Sequence, residues 1–76
     1  MKKSHTTALA VVSKGAVIKL NNRLYLVTHR GLRSSILLDI LSEKTLIMAF
    51  YNAYCTTVLE GMTIRKIKAY HPELLI

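Results

Sequence analysis

Two successive asparagines, Asn21-Asn22, separate one short apolar run from another, and they constrain the fold more than any other pair in the chain. Asparagine tolerates left-handed dihedrals, which the central residues of a tight hairpin turn must adopt. Ala16-Val17-Ile18-Lys19-Leu20 supplies a β-branched outgoing strand, with Lys19 turned to the outer face. Arg23 to Thr28 returns, with Leu24, Leu26 and Thr28 on one side and Tyr25 and Val27 on the other. A hairpin there commits the first half of the chain to β structure.

Turn residues divide the remainder. Ser13-Lys14-Gly15 precedes the hairpin as a turn, and His29 to Ser34 follows it as a basic loop containing Gly31. Ile36 to Leu41 and Thr45 to Ala49 read as two further strands, joined by Ser42-Glu43-Lys44 and apolar on both faces. From Phe50 to Glu60 the period changes: Tyr51, Cys55 and Leu59, beside Tyr54 and Val58, make helical stripes stopped by Gly61. Thr63 to Lys68 returns to imperfect alternation, as an edge strand. His71-Pro72-Glu73 has the form of a helix start, and Leu74-Leu75-Ile76 equally fits a docked terminal strand. The expected architecture is mainly β (α+β): a small, bent or barrel-like antiparallel sheet, SH3-like, with one helix over about 50–60. Residues 1–13 are expected to form a basic N-terminal arm or leading segment, 14–70 a single small β-rich domain, and 71–76 a tail or the start of a following helix.

Seventy-six residues support one domain with a small core, and a hydrophobic share of 51% is too high for a disordered basic tail. Cys55 is a lone cysteine, so no internal disulfide forms, and with only His5, His29 and His71 it cannot complete a structural zinc site. The apolar stretch Ala8 to Val12 is too short for a secretory leader, and no run reaches the roughly 18–20 residues of a membrane span. A soluble, cytoplasmic protein is expected.

Charge is distributed unevenly. Lys2, Lys3, Lys14, Lys19, Arg23, Arg30 and Arg33 all precede the first acid, Asp39. From there Lys44, Arg65, Lys66 and Lys68 balance Asp39, Glu43, Glu60 and Glu73, so the net +7 belongs to the first half. Clustered cations gain free energy by releasing counterions from a phosphate backbone, which makes a polyanion the leading partner. Arg30 and Arg33, in a loop with His29, Ser34 and Ser35, are the first candidates for phosphate contact, since an arginine fork holds phosphate bidentately. Lys14, Lys19 and Arg23 flank the hairpin, and Arg65, Lys66 and Lys68 make a second cluster, which also suits a charged, self-protecting edge strand.

Catalytic chemistry has little to stand on. Cys55 lies on an apolar stripe, where cysteine behaves as a small core residue. His29 sits beside Arg30 and suits a surface or DNA-facing position. Gly15, Gly31 and Gly61 are too far apart for a phosphate loop. No cofactor, metal or small-molecule ligand is implied. Of the tyrosines, Tyr25 belongs in the core, and Tyr51 and Tyr54 pack against it or cap it.

The order of Gly15 to Leu20, Asn21 to Val27 and Tyr54 through Leu59-Glu60-Gly61-Met62 resembles the first small β-rich module of Mu-like, target-selecting DDE-type bacterial transposases. The likeness spans residues 14 to 68. It implies a module that contacts transposon-end double-stranded DNA, with helix-turn-helix and catalytic domains following in that family. The carboxylates Asp39, Glu43, Glu60 and Glu73 offer no candidate catalytic triplet. Two other readings fit the same residues: a protein-interaction or oligomerisation module with a basic face, or a stand-alone phage or plasmid regulator.

Overall fold

The structure is a computed structural model that describes residues 6–51 and 53–76, so the Lys2-Lys3 arm and His5 lie outside it. Its strands are β1 (Thr7–Ala8), β2 (Val17–Leu20), β3 (Arg23–Arg30), β4 (Ser34–Asp39), β5 (Thr45–Ala49) and β6 (Tyr54–Leu59). All pair antiparallel in one sheet, in the order β1-β6-β2-β3-β4-β5. A single α-helix, α1 (Ile64–Tyr70), and two 3-10 turns, Leu9–Val11 and Pro72–Leu75, complete the described residues. The mainly β class with one helix is therefore what this chain adopts.

The β2–β3 hairpin closes as its asparagines require. Leu20 pairs with Arg23, and Asn21 and Asn22 take φ of 53° and 64°. β3 to β5 continue as a meander, and β6 returns to the outer side of β2. Register slips between Val27 and His29 and between Val17 and Ile18 bend the sheet. Among the described residues β1 and β5 do not pair, so the sheet is bent but not closed.

The central strands are buried on both sides. One side gathers Leu9, Val12, Ile18, Tyr25, Val27, Leu37 and Cys55, covered by the leading 3-10 turn and by Leu46, Met48 and Phe50. The other gathers Val17, Leu26 and Ile40 under Ile67 of α1, with Leu74 and Leu75 of the last turn packed beside them. Ile67 is fully buried. An isoleucine so placed contributes about 1.5–3 kcal/mol, enough to seat a helix of only two turns.

The helix expected over about 50–60 is instead strand β6, and the edge strand expected at Thr63 to Lys68 is the helix. β6 supplies the partner that β2 otherwise lacks on its outer side. Its β-branched Thr56-Thr57-Val58 suit an extended backbone. Gly61 ends it at φ +68°, a turn conformation rather than a helix cap. In α1, Thr63 caps the start by accepting from the Lys66 N–H at 3.1 Å, and Ile64 and Ile67 share the face toward the sheet. The third strand begins two residues earlier than expected and stops at Asp39, leaving Ile40 and Leu41 in the turn. Tyr51 and Tyr54 are exposed rather than packed, whereas Tyr25 and Cys55 are core residues as expected. The tail forms a 3-10 turn rather than a strand, with Pro72 at its start and Glu73 in its first turn. No helix of the described residues is long and apolar enough to cross a membrane.

Candidate nucleic-acid interface

Antiparallel pairing sorts the charged residues to two ends of the sheet. At one end, β4 finishes at Asp39, a pivot for the turn into β5. Its Oδ1 accepts from the Leu41 and Ser42 N–H groups at 3.0 and 3.2 Å, and its Oδ2 accepts from Arg23 Nη1 at 2.7 Å. The Ser42 N–H bond, with help from Arg23 and Leu41, holds the Asp39 carboxyl below its usual range, against the opposing effect of burial. Glu43 lies 3.6 Å from Lys68, and Glu73 lies 3.4 Å from His71. Every ion pair among the described residues is at this end.

The opposite end is cationic. Gly15 N–H donates to the Val27 carbonyl at 2.8 Å, which sets Lys14 beside Thr28 near the end of β3. Arg30 pairs with Ser35 across the β3–β4 hairpin, and Arg33 stands in its short connection, Gly31 to Arg33. Met62 N–H donates to the Gly15 carbonyl at 2.7 Å and brings the start of α1 beside Gly15; Arg65 and Lys66 follow in its first turn. An open groove of about 400 Å³, lined in part by Lys14, Gly15, Thr28, Leu38, Met62 and Ile64, lies between the sheet and that helix start. Glu60 also stands at this end, lining a pocket with Lys14, and makes no ion pair among the described residues.

The expected binding residues therefore divide. Lys14, Arg30, Arg33, Arg65 and Lys66 lack carboxylate partners among the described residues, with Arg30 on the side of the first core cluster and the helix bearing Arg65 and Lys66 on the side of the second. Arg23 and Lys68 belong to the Asp39 end and are ion-paired, while Lys19 is exposed within β2, opposite Leu24 and Thr56. The loop expected at His29 to Ser34 is shorter than that, since His29 and Arg30 finish β3 and Ser34 begins β4. Ser35 is no phosphate donor: it is buried, and its hydroxyl has no hydrogen-bond partner among the described residues.

Arg30 has an internal role that sequence reasoning missed. Its Nε donates to the Ala10 carbonyl at 3.2 Å, and Nη2 donates to the same oxygen. The guanidinium carbon stands 5.7 Å from the Phe50 ring centroid. Arg30 thus ties the leading 3-10 turn to the β5–β6 connection. No local signal marks that tie, because the partners are 20 residues apart in sequence. Burial raises the Cys55 thiol above its ordinary value and favours the protonated form, in keeping with a core residue.

Fold and charge define a small antiparallel β domain with one helix and a cationic end. Compared with protein-family models, curated proteins and solved structures, the chain finds no match.

Proposed function

We propose that this chain is a DNA-binding module that meets double-stranded DNA end-on, mainly through phosphates, and catalyses nothing itself. The carrying observation is the segregation of charge. The carboxylates Asp39, Glu43 and Glu73 are engaged at one end of the sheet, while Lys14, Arg30, Arg33, Arg65 and Lys66, on both sides of the sheet, have no carboxylate partner among the described residues. Cations without internal carboxylates are available to displace counterions from a phosphate backbone, and a separated field orients the module as it approaches. The sequence resemblance to the opening module of Mu-like transposases suggests the transposon end as the DNA, but the helix closing in Gly61 on which it partly rested is strand β6 here, so the reading stands on charge alone. The place of action is the cytoplasm.

A salt series of binding to a random-sequence duplex tests this. With about five cations on phosphates, log K should fall against log salt with a slope near −4.5. A slope near zero, or no binding at low salt, would overturn the reading.

A further inference from the structure

The two edges of the sheet are built differently. β1 offers a two-residue edge, short enough to resist pairing. β5 is a five-residue edge, Thr45-Leu46-Ile47-Met48-Ala49, with an unbroken register against β4. It carries no proline, charge or bulge, the usual protections of an exposed edge. Ile47, at its centre, is 73% exposed.

The direction of its backbone groups follows from two hydrogen bonds. Asp39 N–H donates to the Lys44 carbonyl, and Phe50 N–H donates to the Arg33 carbonyl. Bonding alternates along an antiparallel strand, so Leu46 and Met48 also face β4. Thr45, Ile47 and Ala49 therefore aim their N–H and C=O groups outward, with no partner strand among the described residues.

We propose that a second copy of this chain occupies that edge, pairing β5 with β5 antiparallel about a two-fold axis through Ile47. In this register Ile47 faces itself and Thr45 faces Ala49 of the other copy, each pair exchanging both outward hydrogen bonds. Leu46 falls opposite Met48, on the side where both already pack against the first core cluster, so that apolar layer continues across the axis. Charge favours the same occupant. At a net +7 most faces of this molecule repel a copy of themselves, but β5 is neutral. The same two-fold sets Lys44, next to the strand, toward Phe50 rather than toward its own copy. Such a contact is isologous and closes at two subunits. It goes beyond the DNA-binding reading and stands without it.

Sedimentation velocity without DNA, from low micromolar to millimolar protein, provides the test, with Ile47→Lys and Ala49→Pro as variants. The first sets like charges against each other at the axis, and the second deletes one outward N–H and no bond to β4. Wild type should pass from monomer to dimer, and each variant should weaken the dimer at least about tenfold while keeping its circular dichroism spectrum. Amide exchange on wild type gives an independent reading: the Ile47 and Ala49 N–H groups should become protected only as concentration rises. A wild type that stays monomeric throughout overturns the proposal and leaves the edge to a strand of another protein. A dimer that both variants retain, with Ile47 exchanging freely, overturns it in favour of a different face.

Discussion

Arg30 and Arg33 lie three residues apart at the cationic end, yet their removal should have different consequences. If both contact phosphate, Arg30→Ala and Arg33→Ala should each reduce the salt slope of DNA binding by about 0.9. Arg33→Ala should stop there, because among the described residues its side chain makes no hydrogen bond or ion pair, and such surface changes stay within about 0.5 kcal/mol. Arg30→Ala also deletes the bonds to the Ala10 carbonyl and the stack on Phe50. A cation over an aromatic ring at an exposed site is worth about 0.5–1 kcal/mol. The hydrogen-bonded tie, discounted for its exposure, adds about 1 kcal/mol. The sum, about 1.5–2 kcal/mol, lowers the melting temperature of a domain this size by roughly 6–16 °C. Arg30→Lys keeps the charge but loses the planar fork, so it should retain the salt slope and lose most of that stability. Urea unfolding beside a DNA salt series reads both quantities on the same samples. Equal stability of Arg30→Ala and Arg33→Ala would refute the tie.

Three other perturbations probe features of the fold. Gly15 has φ +92°, and a Cβ added there would meet the Met62 carbonyl oxygen at 3.2 Å, whereas Gly61 has φ +68° with open space around it. Gly61→Ala should lose about 1 kcal/mol from its dihedral alone, and Gly15→Ala distinctly more, about 2–3 kcal/mol, as measured by urea unfolding; equal losses would exclude the contact. Ser35 is buried with no hydroxyl partner among the described residues, so Ser35→Ala should be neutral or stabilise by up to about 1 kcal/mol in a thermal melt. Because the folded Asp39 carboxyl titrates below its unfolded value, its contribution is fully present above roughly pH 4 and is lost as pH falls through the folded value. Urea midpoints taken down an acid series should show that loss, and Asp39→Asn should flatten this part of the curve.

The parts of the fold legible in sequence were those with local causes. Asn21 and Asn22 announced a turn because two adjacent left-handed residues are required there, and β5 was visible as an apolar run between turns. The exchange of helix and strand after Phe50 had a nonlocal cause. Tyr51, Cys55 and Leu59 do recur at helical spacing, but β2 needed an outer partner, and pairing satisfies its backbone where a helix would not. The β-branched run Thr56-Thr57-Val58 was the sequence signal for that outcome, and Thr63 with Ile64 and Ile67 was the signal for α1. At the candidate site, the cations were visible in sequence, but their sorting was not. Glu43 near Lys68 and Asp39 on Arg23 are contacts that exist only after the meander has folded.

The sorting of charge carries a consequence for how such a domain can change over time. The ion pairs and the turn around Asp39 maintain the architecture at one pole, and the candidate recognition residues stand away from it. Substitutions at Lys14, Arg33, Arg65 and Lys66 remove no ion pair among the described residues, so a lineage can trade them while the scaffold persists. Arg30 is the exception. It also holds the Ala10 carbonyl and stands over Phe50, so a lineage that alters the cations around it should keep this arginine longest.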